Sequence, residues 1–306
     1  MPILERDPWR LQYFEAAHCP EDVIIPTDDP DCWALYPDHR WIYDKLRIAK
    51  SQGIDAAPHG VMPEVYPVFS KPNVNLKGMG VGSKAIYSAN EMLNNSYPGH
   101  MWMTLLEGEH VSSDCAVVDG KLCWIRHATG IASTGGMFEH WRISAARNAT
   151  LETYLSQWVS RHMTGYSGMM NFETIGGQII EVHLRFADQW CDLYGPGWVD
   201  ALVRLYADKT WAFDDTTRRE GFSIPLFAQH GFQFRHPSAA DQAALRAMKY
   251  ISSLQITFHE AVTAAAHAMP PGGFRLAVIN ATDLTAGLAA REKLRESFPA
   301  AQLIVT

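Results

Sequence analysis

The chain has 306 residues, 47% hydrophobic and 19% charged, which describes a globular protein with ample apolar surface for a core and excludes a disordered one. Its 26 basic and 33 acidic side chains leave a net charge of −7 with no basic run longer than a pair, which excludes a general nucleic-acid binder. No apolar run approaches the roughly 18 residues of a membrane span, and the first residues carry no apolar signal region, so the expectation is a cytoplasmic protein without membrane partners.

The five cysteines, Cys19, Cys32, Cys115, Cys123 and Cys191, are scattered without a C-x-x-C pair and are expected to be reduced thiols. Residues 1–20 read as a surface arm or short docking helix, and Val23–Pro26 as a strand followed by an acidic loop, Thr27 to Asp31. Residues 39–51 read as one helix, with Ile42, Leu46 and Ala49 at helical spacing, Asp38 as its cap and Gly53 as its stop. Tyr66 to Ser70 reads as a strand, and Ser88-Ala-Asn-Glu91 as a capping box opening a helix that ends near Asn95. Met101 to Leu106 is a strand, and Asp119-Gly120 marks a hairpin between two more.

Residues 126–147 show no clear period, whereas Leu151, Leu155, Trp158, Val159 and His162 mark a helix ending at Gly165. A second hairpin turns at Gly176-Gly177, and residues 195–237 are expected to hold the boundary of a smaller C-terminal unit. That unit is read as a strand at Phe274–Ile279, a cap at Thr282/Asp283, a helix over 284–297 and a final strand at Leu303–Val305.

Two segments carry chemistry. In YPVFSKPNVNLKGMGVGSKAIY, Gly78, Gly80 and Gly82 alternate among Lys71, Lys77 and Lys84. Glycines let a backbone approach a ligand and lysines supply charge for phosphate, although neither the Walker nor the dinucleotide spacing is met. A flexible hairpin tip with solvated lysines is the alternative. In NFETIGGQIIEVHLRFADQ, strand alternation puts Glu181, His183 and Arg185 on one face and Ile180, Val182 and Leu184 on the other. A three-residue loop, Ile175-Gly176-Gly177, would set Asn171 opposite Glu181 and gather Asn171, Glu173, Glu181, His183 and Arg185 on one polar face. Its oxygen donors suit Mg²⁺, and Arg185 suits a phosphate or acyl phosphate.

In this order the pieces resemble the ATP-grasp superfamily over roughly residues 36–190. They are Asp44-Lys45 on a helix, Lys71-Pro72 ahead of Gly78–Gly82, the Leu-Glu-Gly-Glu turn ending at Glu109, and Glu181-Val-His183-Leu-Arg185, with FADQ similar to the phosphoribosylglycinamide synthetase branch. His183 stands where the family usually has Asn, and Met169 where many members have a second metal-binding carboxylate.

The resemblance implies an α+β chain with the ATP-grasp fold. Two α/β subdomains would clamp the nucleotide, with a short N-terminal segment and a small C-terminal α/β unit. The divisions expected are 1–40, a shortened N-terminal segment; 41–100, the small subdomain with the Gly-rich loop; 101–200, the large subdomain; and 201–306, a C-terminal extension completing the fold. It implies an ATP-dependent ligase that joins a small carboxylate to a small amine through an acyl phosphate, with a homodimer as a candidate assembly.

On that reading Lys45 and Lys71 hold phosphates, Gly78, Gly80 and Gly82 close over them, and Leu105, Glu107, Glu109 and His110 bind adenine and ribose. Glu181, Glu173, Asn171 and His183 hold Mg²⁺, or Mn²⁺ if imidazole ligates, and Arg185 with Lys71 stabilises the transferring phosphoryl group. Arg126, Arg142, Gly135 and Gly136 are the substrate-binding candidates. A non-catalytic ATP-binding module, a kinase-like phosphotransferase and an interaction protein remain as alternatives.

Overall fold

The computed structural model describes residues 3–263 and 267–304. The first part of the chain runs β1 (Ile3–Leu4), α1 (Pro8–Leu11), β2 (Ile25–Pro26), α2 (Asp29–Leu35), a 3-10 turn (Pro37–Tyr43), α3 (Lys45–Ser51), β3 (Ala56–Pro58), β4 (Val68–Pro72), β5 (Lys84–Ile86), α4 (Ala89–Asn94) and β6 (His100–Thr104). The second part runs β7 (His110–Val118), β8 (Lys121–Ala132), β9 (Phe138–Ile143), α5 (Ala149–His162), β10 (Gly168–Ile175), β11 (Gln178–His183), α6 (Trp198–Asp208), β12 (Gly221–Ala228), α7 (Ala239–Arg246), β13 (Ile251–Ile256), β14 (Phe274–Ala281) and α8 (Leu284–Arg295).

These strands build a four-stranded sheet, β3-β6-β4-β5, and an eight-stranded sheet, β11-β10-β7-β8-β9-β12-β14-β13. Strands β12, β14 and β13 therefore continue the large sheet, so the C-terminal strands extend it. The β1–β2 pair is a separate parallel ribbon. One face of the large sheet carries Met170, Phe172, Val182 and Leu184 against Leu151, Leu155, Trp158 and Val159 of α5. The other packs Ala116, Trp124 and Met169 beneath Trp198 and Leu202 of α6 and the N-terminal Phe14. Further along, α7 and α8 bury Leu245, Ala290 and Leu294 against β13 and β14.

Local chemistry explains most of the element ends. Ser88 caps α4 by accepting from Glu91 N, and Asp283 caps α8 by accepting from Ala286 N. Asp119 (φ 47°) and Gly120 (φ 70°) form the tight turn that the Asp-Gly pair signalled. The helix expected over 39–51 is broken: Asp44 leaves the helical region and accepts from Arg47 N, ending the 3-10 turn and opening α3. The stretch 126–147 is the long tail of β8 plus β9, whose edge-to-edge pairing gives no single period. At the far end Leu303 makes one bridge to Ala228; Val305 lies outside the described residues. No helix among the described residues is long and apolar enough to cross a membrane, and all five cysteines are free.

The two sheets meet where the β6–β7 connection passes the β10–β11 turn. Gly176 (φ 57°) lies so close to it that a Cβ would fall 2.3 Å from the Glu107 carbonyl oxygen, whereas a Cβ on Gly177 (φ 82°) would meet nothing within 4 Å. Both glycines hold a left-handed backbone that costs another residue about 1–2 kcal/mol. Gly177→Ala should therefore lose about that much in urea denaturation, and Gly176→Ala clearly more, because the clash adds to the strain. Equal losses would contradict the close approach.

Candidate active site

The β10–β11 hairpin differs from the three-residue loop that alternation suggested. Ile175 pairs with Gln178 across a two-residue Gly-Gly turn, and Thr174 pairs with Ile179. Glu173 then pairs with Glu181, which leaves Ile180 as an extra, bulged residue. Asn171 consequently faces His183 rather than Glu181. The bulge restores the polar face that a simple two-residue turn would have scrambled, so the set Asn171, Glu173, Glu181, His183 and Arg185 still shares one side. Ile180 packs with Met101 and Met103 of β6 in the four-stranded sheet and with Ala49 of α3.

That bulge is also where the two lysines land. Lys45 Nζ lies 2.9 Å from Glu181 Oε1, and Lys71 Nζ donates to the Ile180 carbonyl at 2.8 Å. Both lysines are buried. Glu181 is thus committed to Lys45, and Lys71 is left with a carbonyl. Burial pulls the Lys71 ammonium down to about 8, with Glu181 opposing and Lys45 adding to the fall.

On the next strand positions a second ion group forms with a residue from the N-terminal segment. Asp29 Oδ2 lies 2.9 Å from His183 Nδ1 and 3.2 Å from Arg185 Nη2, and Asp29 is buried. Burial favours a neutral Asp29, but Arg185 and His183 together outweigh it and hold the carboxyl well below its ordinary value. Burial likewise opposes the His183 imidazolium, and Asp29 overcomes it, raising that pKa. His183 is thus engaged by Asp29 through Nδ1, and its Nε2 lies 3.9 Å from Glu181 Oε1.

The remaining oxygen donors are Glu173, Glu181 and Asn171. Glu173 accepts from or pairs with His110 Nε2 at 3.1 Å, and despite burial its carboxyl is held down to about 2, chiefly by His110. Asn171 Nδ2 donates to Ser112 Oγ and Asp114 Oδ1 at 2.8 and 2.7 Å, and among the described residues none donates to its Oδ1. Among the described residues no group of three His, Cys, Asp or Glu side chains could hold an ion alone. Two carboxylates and an amide oxygen do fit a Mg²⁺ that shares phosphate oxygens, since that ion commonly takes one or two carboxylates plus substrate.

Asp114 itself escaped sequence reading. It is fully enclosed, accepts from Tyr194 OH at 2.6 Å and from Ala187 N at 2.8 Å, and burial pushes its carboxyl up to about 6. A single acid inside the strand HVSSDCAVV was the available signal. Asp29 had none, because its partners lie 154 and 156 residues away.

The other sequence candidates fall in three places. The Gly-rich loop arches off β4: Gly78, Gly80 and Gly82 all have positive φ, and the Met79 carbonyl lies 3.9 Å from where a Cβ on Gly136 would stand. Gly135 packs on Gly272, whose N–H donates to the Gly135 carbonyl at 2.7 Å, so both glycine loops and residues 270–272 come together. The connection at Leu105, Glu107 and Glu109 packs on the hairpin tip, with Glu107 and Glu109 exposed; His110 is turned inward to Glu173, Phe138 and Trp141.

The two arginines proposed for substrate do not join this group. Arg126 is buried and spends its donors on Asp215, the Ser144 carbonyl and the Arg219 carbonyl, which makes it a structural tie. Arg142 sits half-exposed, 3.8 Å from Glu220.

Removing one partner of a buried ion group strands the others. Asp29→Asn should therefore lower the unfolding free energy by about 3–5 kcal/mol in urea denaturation at neutral pH. Because the Asp29 pKa is depressed on folding, the same contribution is present in the wild type above its unfolded value and lost as pH falls below about 4. A loss under about 1 kcal/mol would mean that the group behaves like a solvated surface pair.

No family model and no curated protein matches the sequence. Solved structures match its shape. The chain superposes on an L-amino acid ligase from Bacillus licheniformis with a TM-score of 0.64 and 11% identity, covering 97% of this chain and 83% of that one. An N5-carboxyaminoimidazole synthase from Aspergillus clavatus, solved with ADP and its aminoimidazole ribonucleotide, matches with a TM-score of 0.61 and 10% identity over 90% and 82% of the two chains. Phosphoribosylamine–glycine ligase from Thermotoga maritima matches with a TM-score of 0.57 and 13% identity over 94% and 85%. With the paired sheets, the glycine loop and the Glu-x-His-x-Arg strand in place, the chain has the ATP-grasp fold.

Proposed function

We propose that the protein is an ATP-dependent carboxylate–amine ligase that works through an acyl phosphate. The observation that carries this reading is the meeting of Lys45, Lys71 and Glu181 at one bulged strand, with a glycine loop that follows the strand of Lys71 and reaches Gly136. A buried ammonium whose one acceptor among the described residues is a carbonyl is a standing attraction for a polyphosphate. The fold neighbours named as ligases of amino acids or of glycine support the reaction class.

A carboxylate is a poor electrophile. Attack by its oxygen on the γ-phosphorus breaks the bond to ADP and forms the acyl phosphate. An amine then attacks the acyl carbon, phosphate departs with the former carboxylate oxygen, and the amine loses a proton to give the amide. The protein's part is positioning and charge neutralisation. Lys71 and Lys45 would hold phosphate oxygens, Gly78–Gly82 would exclude water, and the connection from Leu105 to Glu109 would meet the base and ribose. Glu173, Glu181 and Asn171 would hold the Mg²⁺, which supplies charge neutralisation on the phosphates. Arg185, held by Asp29, would face the transferring group. The engagement of Arg185 by Asp29 favours one competing reading, a module that binds ATP without turnover.

The test is ADP release with pooled carboxylates and amines. Release that requires an amine supports ligation; a nucleotide-dependent rise in melting temperature without release leaves the binding module. Lys71→Ala and Glu181→Gln should each cut turnover by about 100-fold or more while the proteins still fold. Near wild-type rates in either would overturn the assignment. The Lys71 ammonium, poised at about 8, also sets a pH signature. ADP affinity should weaken as pH rises through about 8, where the cation is lost, and that inflection should vanish in Lys71→Gln.

A further inference from the structure

The large sheet carries a second cationic group beyond Arg185. Arg10 of α1 pairs with Asp188, with Asp7 at 2.9 Å and with Glu5 at 3.5 Å. These contacts spend the local acids. Burial raises the Glu5 carboxyl to about 7, which weakens it further as a counter-charge. Next to this group stands Arg275 of β14, only 7% exposed. Its guanidinium makes no hydrogen bond or ion pair with any described residue, and its Nε is sealed from solvent. Its backbone alone is engaged, through Met269 Sδ and Thr257 Oγ1.

The placement is specific. The β12–β14 register slips so that Leu226 faces Ala277 while Phe227 faces Arg275, which makes Leu276 a bulge. That bulge re-aims the next side chain to the face of Asn280, where residues 186–192 pass, instead of into the apolar cluster of Ala277 and Ile279. Arg10, Asp188 and Asp7 all act electrostatically on Arg275, and Asp188 also acts on Arg185, so Asp188 lies near both guanidinium groups. Taking a guanidinium out of water with no partner is costly, and a fold keeps such a group only where something else completes it.

We propose that Arg275 binds a substrate carboxylate that the reaction does not consume, so that one of the two organic substrates is an acid beyond its reacting group, as an amino acid is. This rests on the ligase reading for the role of that substrate. A planar fork suits a carboxylate bidentately, and one unpaired positive charge matches a monoanion better than a phosphate dianion.

The test compares the full-length wild type with Arg275→Met and Arg275→Lys by thermal melting in ADP and Mg²⁺. The probes are the pooled twenty L-amino acids, the matching amino-acid amides, and inorganic phosphate. The wild type should be stabilised by the acids and not by the amides, Arg275→Met should respond to neither, and Arg275→Lys should respond weakly. Without probe, Arg275→Met should melt at or above the wild type, because an unpaired buried charge is gone; a structural arginine would give a marked loss. In the ligation assay the KM for the stimulating acid should rise about tenfold or more in Arg275→Met, with the KM for ATP unchanged.

Equal stabilisation of wild type and Arg275→Met, no acid response in the wild type, or an unstable Arg275→Met would overturn the proposal. A response to phosphate alone would replace carboxylate by phosphate and overturn it in this form. Acid binding lost in Arg275→Met without any ADP release would sink the ligase reading and leave the site; ADP release with an unchanged KM would do the reverse.

Discussion

Two lysines, Lys45 at the start of α3 and Lys71 on β4 of the small sheet, are fastened to one bulged strand of the large sheet, and the rest of the site is arranged around that attachment. Lys45 reaches Glu181 and Lys71 reaches the Ile180 carbonyl, while Ile180 itself is packed among the small sheet's methionines. The same residue therefore supplies an apolar anchor and, through its carbonyl, a polar one. The contacts hold two ammonium groups out of water with a single carboxylate directly engaged between them. Such an arrangement is unfavourable for an empty protein and favourable for one that meets a polyphosphate.

The N-terminal segment is as much a part of the site as the sheets. Asp29 opens α2 and neutralises both His183 and Arg185, and Arg10 on α1 gathers Glu5, Asp7 and Asp188 nearby. On the large sheet's polar face, Asp114 ties Asn171, Tyr194 and the backbone of Ala187 into one network, which fixes where Asn171 turns its oxygen. Asp29 and Asp114 thus each hold polar residues of the candidate site from outside the β10–β11 hairpin.

Local signals were readable and long-range partners were not. The Asp-Gly turn, the Ser88 cap and the α5 stripe follow from short-range rules and stand where the spacing places them. The polar face of the hairpin was legible because alternation is a local property, yet its register was misjudged by two residues. A bulge inserts one residue without changing which residue types lie on either side, so no period betrays it. The helix over 39–51 was misread because apolar spacing continues through Asp44, whose side chain found a better use as a cap. Asp29 and Arg10 were invisible as site residues, since what defines them is distance in space. Arg126 stood out among candidates for its charge, whereas in the fold its donors go to Asp215 and to the Ser144 and Arg219 carbonyls.

Hydrogen exchange with and without Mg²⁺ and a non-hydrolysable ATP analogue tests the central arrangement most directly. If the triphosphate sits between the sheets, amides in three separate segments should gain protection together: 75–83 in the glycine loop, 105–110 in the connection, and 171–181 in the hairpin. Protection confined to one of them, or appearing elsewhere in the molecule, would contradict the account.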